Sequence, residues 1–412
     1  MEILLGNGNY FVEGKKNAAI YCLNTNKVFL INESGKEAIK RFAKKESLSD
    51  KQKIFIENLI SEKLIVKDEV DTDFKLEKPD YKINFAWLEL TDNCNLRCVH
   101  CYGAFGCPKL KQSSSMTDKD WFNVINQLYD EGCREIQLIG GEPFCYAHYD
   151  KILEYLSKKG FKRITMFTNA TLISEKNIED LKKYKVNIRF SLYGYDSNSH
   201  EKITQIKGSF DNTVKAIKLL NENGIRASVA IILMKENEND IDKIKKFVEE
   251  DLKIRYNGYD VIRPSCVNDN LDHRITNYEL LNKRYYTTPE FSITKEQFIS
   301  NHFYNSCFNN KLAVTTTGDI IPCIFARDFV IGNIKEKTLK ELKNNLLEVW
   351  GVNKNKIESC KDCEYKYACS DCRPLSIGIN GGKYSKYPRC CYDPEEGIWK
   401  DIKEITKEIV KN

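Results

Sequence analysis

No apolar run in the 412 residues approaches the about 18 that a membrane-spanning helix needs, so no membrane is expected as a partner. The start of the chain, Met1-Glu2-Ile3-Leu4-Leu5-Gly6, has neither a basic opening nor an apolar signal core, so a cytoplasmic location is expected. Charge of one sign is scarce as well: 64 basic residues face 59 acidic ones, for a net charge of +5. The lysine runs are spread along helical stretches and read as solvated faces. No basic stripe with interleaved aromatics occurs, which argues against nucleic acid. Only five histidines are present. His273 and His302 each stand alone, a setting in which a packed or exposed side chain is commoner than a ligand.

Cysteine, by contrast, is abundant, with sixteen in the chain. The composition, 42% hydrophobic and 30% charged, is that of a globular chain, and the length suits two to four domains. In a reducing cytosol so many cysteines read as metal ligands and not as disulfides. Eleven of them fall into two groups, one near residue 100 and one from residue 307 onward. Cys107, Cys133 and Cys145 follow no spacing rule, and buried free thiols are expected for Cys133 and Cys145.

The first group is Cys94-Asn95-Leu96-Arg97-Cys98-Val99-His100-Cys101-Tyr102, a C-x3-C-x2-C run short enough for one loop to gather three sulfurs. Three thiolates suit a [4Fe–4S] cluster, because a disulfide would leave one unpaired. With three ligands one iron stays open to chelate a small molecule. A zinc loop with a distant fourth ligand, or three unrelated buried cysteines, are the alternatives. The run, with Tyr102 in the aromatic place after the third cysteine, resembles the signature of radical S-adenosylmethionine (radical SAM) enzymes. That resemblance implies S-adenosylmethionine chelated at the open iron and cleaved to a 5′-deoxyadenosyl radical, which makes Cys94, Cys98 and Cys101 both catalytic and metal-binding.

Between Phe85 and about Tyr259 the pattern alternates strand and helix. Strands are expected at 85–90, 135–139, 163–167, 187–192, 226–233 and 259–262. Helices are expected at 118–131, 149–158, 174–183, 210–223 and 240–250. Such units build a parallel sheet with right-handed crossovers, and about six make a partial barrel with its site at the strand C-termini. Gly140-Gly141-Glu142-Pro143 follows the second strand, where two glycines allow close backbone approach to a ligand. In the family it resembles, this turn contacts the amino group of the methionine moiety. By the same resemblance Tyr102, Gly140, Gly141, Glu142, Pro143, Asn169 and Ser191 bind the cofactor. Asn169 and Ser191 also read as an ordinary cap or turn residue.

Residues 1–75 read as a separate winged-helix-like domain. Ala18–Leu23 and Lys27–Ile31 form a hairpin across Asn24-Thr25-Asn26, helices follow at 34–44 and 49–62, and Leu64-Ile65-Val66 closes as a strand. That order resembles the recognition element of peptide-modifying enzymes, in which a precursor's leader adds a strand to a sheet edge. A packing or oligomerisation module is the alternative. Residues 68–81 read as a linker, 82–262 as the barrel and 263–306 as a bridge.

The second cysteine group resembles a SPASM extension with two auxiliary [4Fe–4S] clusters, spanning 307–395, with a C-terminal helix over 396–412. Strands around Thr317-Gly318 are expected to bring Cys307 and Cys323 together. The resemblance assigns Cys307, Cys323 and Cys372 to one cluster, its fourth place going to Cys391, Cys266 or a substrate thiolate. It assigns Cys360, Cys363, Cys369 and one of Cys390 or Cys391 to the other. A zinc ribbon of Cys360, Cys363, Cys369 and Cys372 is the alternative. The expected fold is therefore α/β, a partial (β/α)6 barrel between a winged-helix-like domain and a cysteine-rich iron–sulfur domain. The expected function is a peptide maturase that forms a thioether between a cysteine sulfur and a carbon of another residue. Its expected partners are a precursor peptide with its leader and an electron donor such as flavodoxin or ferredoxin. Formylglycine formation, carbon–carbon crosslinking and a non-catalytic peptide-binding iron–sulfur protein are the competing readings.

Overall fold

The computed structural model describes residues 2–105, 115–263, 270–277, 280 and 291–401; Cys107 and Cys266 lie outside them. Its backbone divides into two compact units: residues 1–80, 285–309 and 350–412 in one, and 81–284 and 310–349 in the other.

The first unit opens with a four-stranded antiparallel meander, β1 (Glu2–Gly6), β2 (Asn9–Glu13), β3 (Ala18–Cys22) and β4 (Lys27–Ile31). Helices α1 (Glu33–Ala43) and α2 (Asp50–Ser61) follow. Asn32 caps α1 by accepting from the Gly35 N–H, and Ser49 with Gln52 forms a reciprocal capping box on α2. Every residue of β3 is buried, and its alternation explains why. Ala18, Ile20 and Cys22 pack with Phe11 against Ile39 and Ile56 of the helices, whereas Ala19 and Tyr21 pack with Tyr10 against Ile293, Phe298 and Tyr367.

Three expectations for this unit change. Two strands, β1 and β2, precede the expected hairpin, so four strands lead into the helices. Leu64-Ile65-Val66 forms no strand; only the Val66 N–H reaches the Leu5 carbonyl, at 2.8 Å. Residues 1–75 do not stand apart, because both faces of their sheet are apolar and the second is covered by later segments of the same unit.

The second unit is built on β5 (Phe85–Glu89), α3 (Asp118–Asp130), β6 (Glu135–Ile139), α4 (Tyr149–Lys159), β7 (Arg163–Thr168), α5 (Glu175–Lys183), β8 (Asn187–Ser191), α6 (Ser197–Thr204), α7 (Ser209–Glu222) and β9 (Ala227–Ala230). Strands β5 to β9 are parallel neighbours in that order, in the partial barrel the alternating pattern implied. The strand expected at 226–233 breaks at Ile231: β10 (Ile232–Leu233) pairs instead with β11 (Asp260–Val261). The helix expected at 240–250 is α-helical only over α8 (Ile241–Lys246) and widens to a π-turn at 247–251.

Three later strands extend the same sheet. After helix α9 (Lys295–Phe303) of the first unit come β12 (Lys311–Val314), β13 (Asp319–Ile321) and β14 (Gly332–Asn333) of the second. β12 lies parallel to β5, while β13 and β14 pair antiparallel at the edge. The chain then forms α10 (Lys343–Trp350) and, back in the first unit, α11 (Arg373–Asn380). The helix expected from residue 396 gives way to a short hairpin of β15 (Tyr392–Asp393) and β16 (Ile398–Trp399), and 402–412 lie outside the described residues. No helix among the described residues is long and apolar enough to cross a membrane.

Candidate functional site

The loops after β5, β6, β7 and β8 surround one cavity of about 490 Å³ within the second unit. Its wall includes Cys94, Cys98 and Cys101, then Tyr102, Gly140, Gly141, Asn169 and Ser191, so five of the seven expected cofactor residues face it. Glu142 and Pro143 do not.

The cysteine loop leaves the C-terminal end of β5 and is tied down along its length. The Arg97 and Val99 N–H groups donate to the carbonyls of Thr204 and Ile203 at the end of α6, at 3.0 and 3.1 Å. Cys98 and Val99 pack against Tyr193, Ile203, Met234 and Ile262. The three thiols are close neighbours of one another. Burial pushes the Cys94 thiol up to about 12. Around Cys101 the Gly103, Phe105 and Ala104 N–H groups oppose that burial by favouring the thiolate.

The glycine turn supports this loop from beneath. Gly141 N–H donates to the Thr91 carbonyl at 2.7 Å and Glu142 N–H to the Asn93 carbonyl at 2.8 Å. A Cβ on Gly140, at φ +136°, would lie 2.4 Å from the Thr91 oxygen, and one on Gly141 2.2 Å from the Asn93 oxygen. Both glycines are therefore required by the backbone that launches the cysteine loop, beyond any approach to a ligand. The fully buried Glu142 carboxylate accepts from the Thr168 hydroxyl at 2.7 Å, the Asn169 N–H at 2.8 Å and the Phe144 N–H at 3.1 Å. Burial outweighs these bonds and pushes its pKa up to about 7. Glu142 thus braces the end of β7 against the turn, and Pro143 starts the 3-10 turn that follows.

Asn169 likewise spends its side chain on the protein. Its amide donates to Asn95 Oδ1 at 2.8 Å, and its carbonyl oxygen accepts from the Thr171 N–H at 2.9 Å. Asn95 in turn donates to the Thr171 hydroxyl at 2.7 Å, closing a triangle between the cysteine loop and the loop after β7. Asn95 stands inside the cysteine motif, which was the available signal for it. Ser191 is nearly buried beside the Tyr193 phenol, which also neighbours Cys98. His100, also on the wall, meets the Tyr193 ring edge-on at 4.7 Å between centroids. Tyr102 donates to Glu89 at 3.3 Å and packs against Phe325, a wall residue that no sequence pattern marks. Cys133 is a core thiol, as expected, but Cys145 is only half-buried and takes a hydrogen bond from the Asn95 backbone.

In the first unit a second thiol set forms. Cys360 has Cys390 as a close neighbour, Cys363 has Cys369 and Cys390, and Cys369 has Cys390 and Cys360. Cys391 neighbours Cys390 but turns toward Lys386 and Asp401, and its thiol lies near the Arg389 carbonyl. Cys307 and Cys372 share this unit, while Cys323 belongs to the other. His273 pairs with Glu236 at 2.6 Å and His302 with Glu2 at 3.2 Å.

Both thiol sets fit iron–sulfur clusters. Soft thiolates are the donors such clusters take. Among the described residues no three His, Cys, Asp or Glu close on a single ion, and a cubic cluster needs its thiolates apart, one on each iron. The cavity beside the first set falls within the roughly 300–1,000 Å³ of small-molecule sites. Cys94, Cys98 and Cys101 would hold the first cluster, with Gly140, Gly141, Tyr102, Asn169 and Ser191 around its ligand.

Comparison with known proteins agrees. The radical SAM superfamily matches residues 88–248, and the SPASM iron–sulfur cluster-binding domain matches 307–364. The subtilosin biosynthesis protein AlbA of Bacillus subtilis (strain 168) is 29% identical over 339 residues, covering 76% of this chain and 72% of AlbA. An AdoMet-dependent heme synthase of Methanosarcina barkeri is 24% identical over 341 residues, covering 75% of this chain and 96% of the synthase. Streptococcus suis SuiB, solved with its precursor peptide SuiA, shares the fold, with a TM-score of 0.54 and 16% identity over 94% of this chain and 99% of SuiB. Radical SAM domains bind S-adenosylmethionine and a [4Fe–4S] cluster, and SPASM domains bind auxiliary clusters. The chain therefore belongs to the radical SAM superfamily, as an enzyme whose radical SAM domain is followed by a SPASM iron–sulfur domain.

Proposed function

We propose that this enzyme matures a ribosomally made precursor peptide by joining a cysteine sulfur to a carbon of another residue. The observation that carries the reading is the second thiol set, Cys360, Cys363, Cys369 and Cys390, present in addition to the thiols of the radical site. Joining C–H and S–H as C–S removes two hydrogens. When bound, S-adenosylmethionine with its cluster supplies a 5′-deoxyadenosyl radical that takes one of them from carbon. The other leaves as a proton and an electron, and that electron needs an acceptor. The four thiols would hold one.

The chain's own residues prepare the site. Tyr102, Tyr193, Phe325 and Ile262 line the cavity and keep water from a reactive carbon. Glu142 and Asn169 hold the three surrounding loops in fixed positions, which is positioning in the sense that radical chemistry requires. AlbA, a bacteriocin biosynthesis protein, and SuiB, solved with its precursor peptide, support a peptide substrate.

The leader would dock on β4. This strand ends the meander and exposes Phe29 and Leu30, and past the bridge from Lys27 to Ser292 it has no further strand partner on that side among the described residues. An extended peptide adding there gains main-chain hydrogen bonds. A flavodoxin or ferredoxin in the cytoplasm would supply the electron for cofactor cleavage.

The test is anaerobic reconstitution with S-adenosylmethionine, reductant and a cysteine-containing candidate precursor peptide, one encoded next to this gene where such a gene exists. The expected product is lighter by two hydrogens per site, with one cysteine no longer alkylatable. The same mass loss with every cysteine free would replace the thioether with a carbon–carbon or carbon–oxygen bond. No 5′-deoxyadenosine from cluster-loaded protein would overturn the catalytic reading.

A further inference from the structure

A lysine, an aspartate and an arginine are buried together in the first unit, next to the second thiol set. Lys354, Asp371 and Arg373 expose 5% or less of their side chains. Lys354 Nζ lies 3.0 Å from Asp371 Oδ2, and Arg373 Nη2 lies 2.6 Å from the same oxygen. Two cations thus share one carboxylate, leaving one positive charge uncompensated in the protein interior. Burying that excess is costly unless something negative faces it.

The groups that face it are the thiols. Asp371 lies between Cys369 and Cys372 in the chain, and Arg373 directly follows Cys372. Cys369 and Cys360 are close neighbours of Lys354, and Cys360 also neighbours Arg373. The geometry is fixed from behind, because Arg373 donates to the Ser376 hydroxyl at 2.6 Å and to the Ser385 carbonyl at 2.9 Å, and Asn305 donates to Asp371 at 3.4 Å. Glu364 bears on Cys363, whereas Lys354 bears on Cys360 and Cys369.

We propose that Lys354 is the residue that sets the reduction potential of the cluster held by Cys360, Cys363, Cys369 and Cys390, raising it so that this site accepts an electron readily. The reason is electrostatic. A four-thiolate cluster gains a negative charge on reduction, and a fixed cation in a low-dielectric interior stabilises the more negative state. The proposal rests on the assignment of that thiol set to an auxiliary cluster, and it does not depend on which bond the enzyme forms.

The experiment is an EPR-monitored redox titration of reconstituted enzyme without peptide, with iron and acid-labile sulfide measured on each sample. The signal of this cluster is identified as the one that Cys390→Ala removes; if that variant removes no signal, the assignment fails and not the role of Lys354. In Lys354→Met with full iron content, the reduced-to-oxidised ratio at a fixed poise is expected to fall about tenfold, equivalent to about 59 mV for one electron. Lys354→Arg should keep the ratio near that of the parent. Asp371→Asn, which removes the counter-charge, should move the ratio the other way and decides the matter if Lys354→Met does not load its cluster. An unchanged ratio in Lys354→Met or in Asp371→Asn, or equal shifts in Lys354→Met and Lys354→Arg, would overturn the proposal.

Discussion

Arg327 donates to Glu89 at 2.7 Å, joining a residue four places past Cys323 to the last residue of β5, which launches the cysteine loop. Glu89 is fully buried and also accepts from Tyr102. Removing one partner leaves a charge uncompensated in the interior, at a cost of about 3–5 kcal/mol. Arg327→Met and Glu89→Leu are each expected to lower the thermal midpoint, and the double variant to recover most of the loss. Singles as stable as the parent would mean that the pair does not hold the loop.

The glycine turn makes a sharper prediction. Gly140→Ala and Gly141→Ala push a methyl group into the carbonyls of Thr91 and Asn93. The loop carrying Cys94 must then shift, so these variants are expected to lose roughly four irons per chain, those of one cubic cluster, and all 5′-deoxyadenosine formation. Iron analysis after reconstitution checks this, and full iron content in either variant would refute it.

Cys390 and Cys391 are adjacent; Cys390 neighbours the other three thiols of its set, and Cys391 lies toward Lys386 and Asp401. Cys390→Ala is expected to lose the iron of that cluster, whereas Cys391→Ala keeps it. The reverse result by iron and sulfide analysis would reassign the ligand.

His200, on α6, supplies a pH dependence. It is buried, accepts from the Tyr193 N–H, and burial lowers its pKa from 6.5 to about 4. Between those values the unfolded chain binds a proton that the folded chain refuses. Its contribution is therefore fully present above pH 6.5 and is lost as pH falls toward 4, by about 3 kcal/mol at most. Thermal midpoints of the parent should fall faster than those of His200→Gln across that range. Parallel curves would show that His200 is not the group responsible.

Most of the barrel, and the identity of the radical site, were legible in the residues alone. Period-2 and period-3.6 patterns placed β5 to β8 and their helices almost residue for residue, because each strand is buried on a face that its own alternation declares. The three thiols had to meet, because six intervening residues at most separate them. What alternation does not encode is who covers the other side of a sheet. Thus β1 and β2 went unread, and the second apolar face of β3 found its cover in Ile293, Phe298 and Tyr367, far along the chain. Likewise β12 joined β5 through backbone hydrogen bonds, which carry no residue signature. The glycines that open onto the cavity also seat the loop above them, and Glu142 braces its neighbours, roles that their spacing does not announce. The excess cation at Lys354 was also left to tertiary structure. A residue's type states which bonds it can make, and only packing settles which groups arrive to make them.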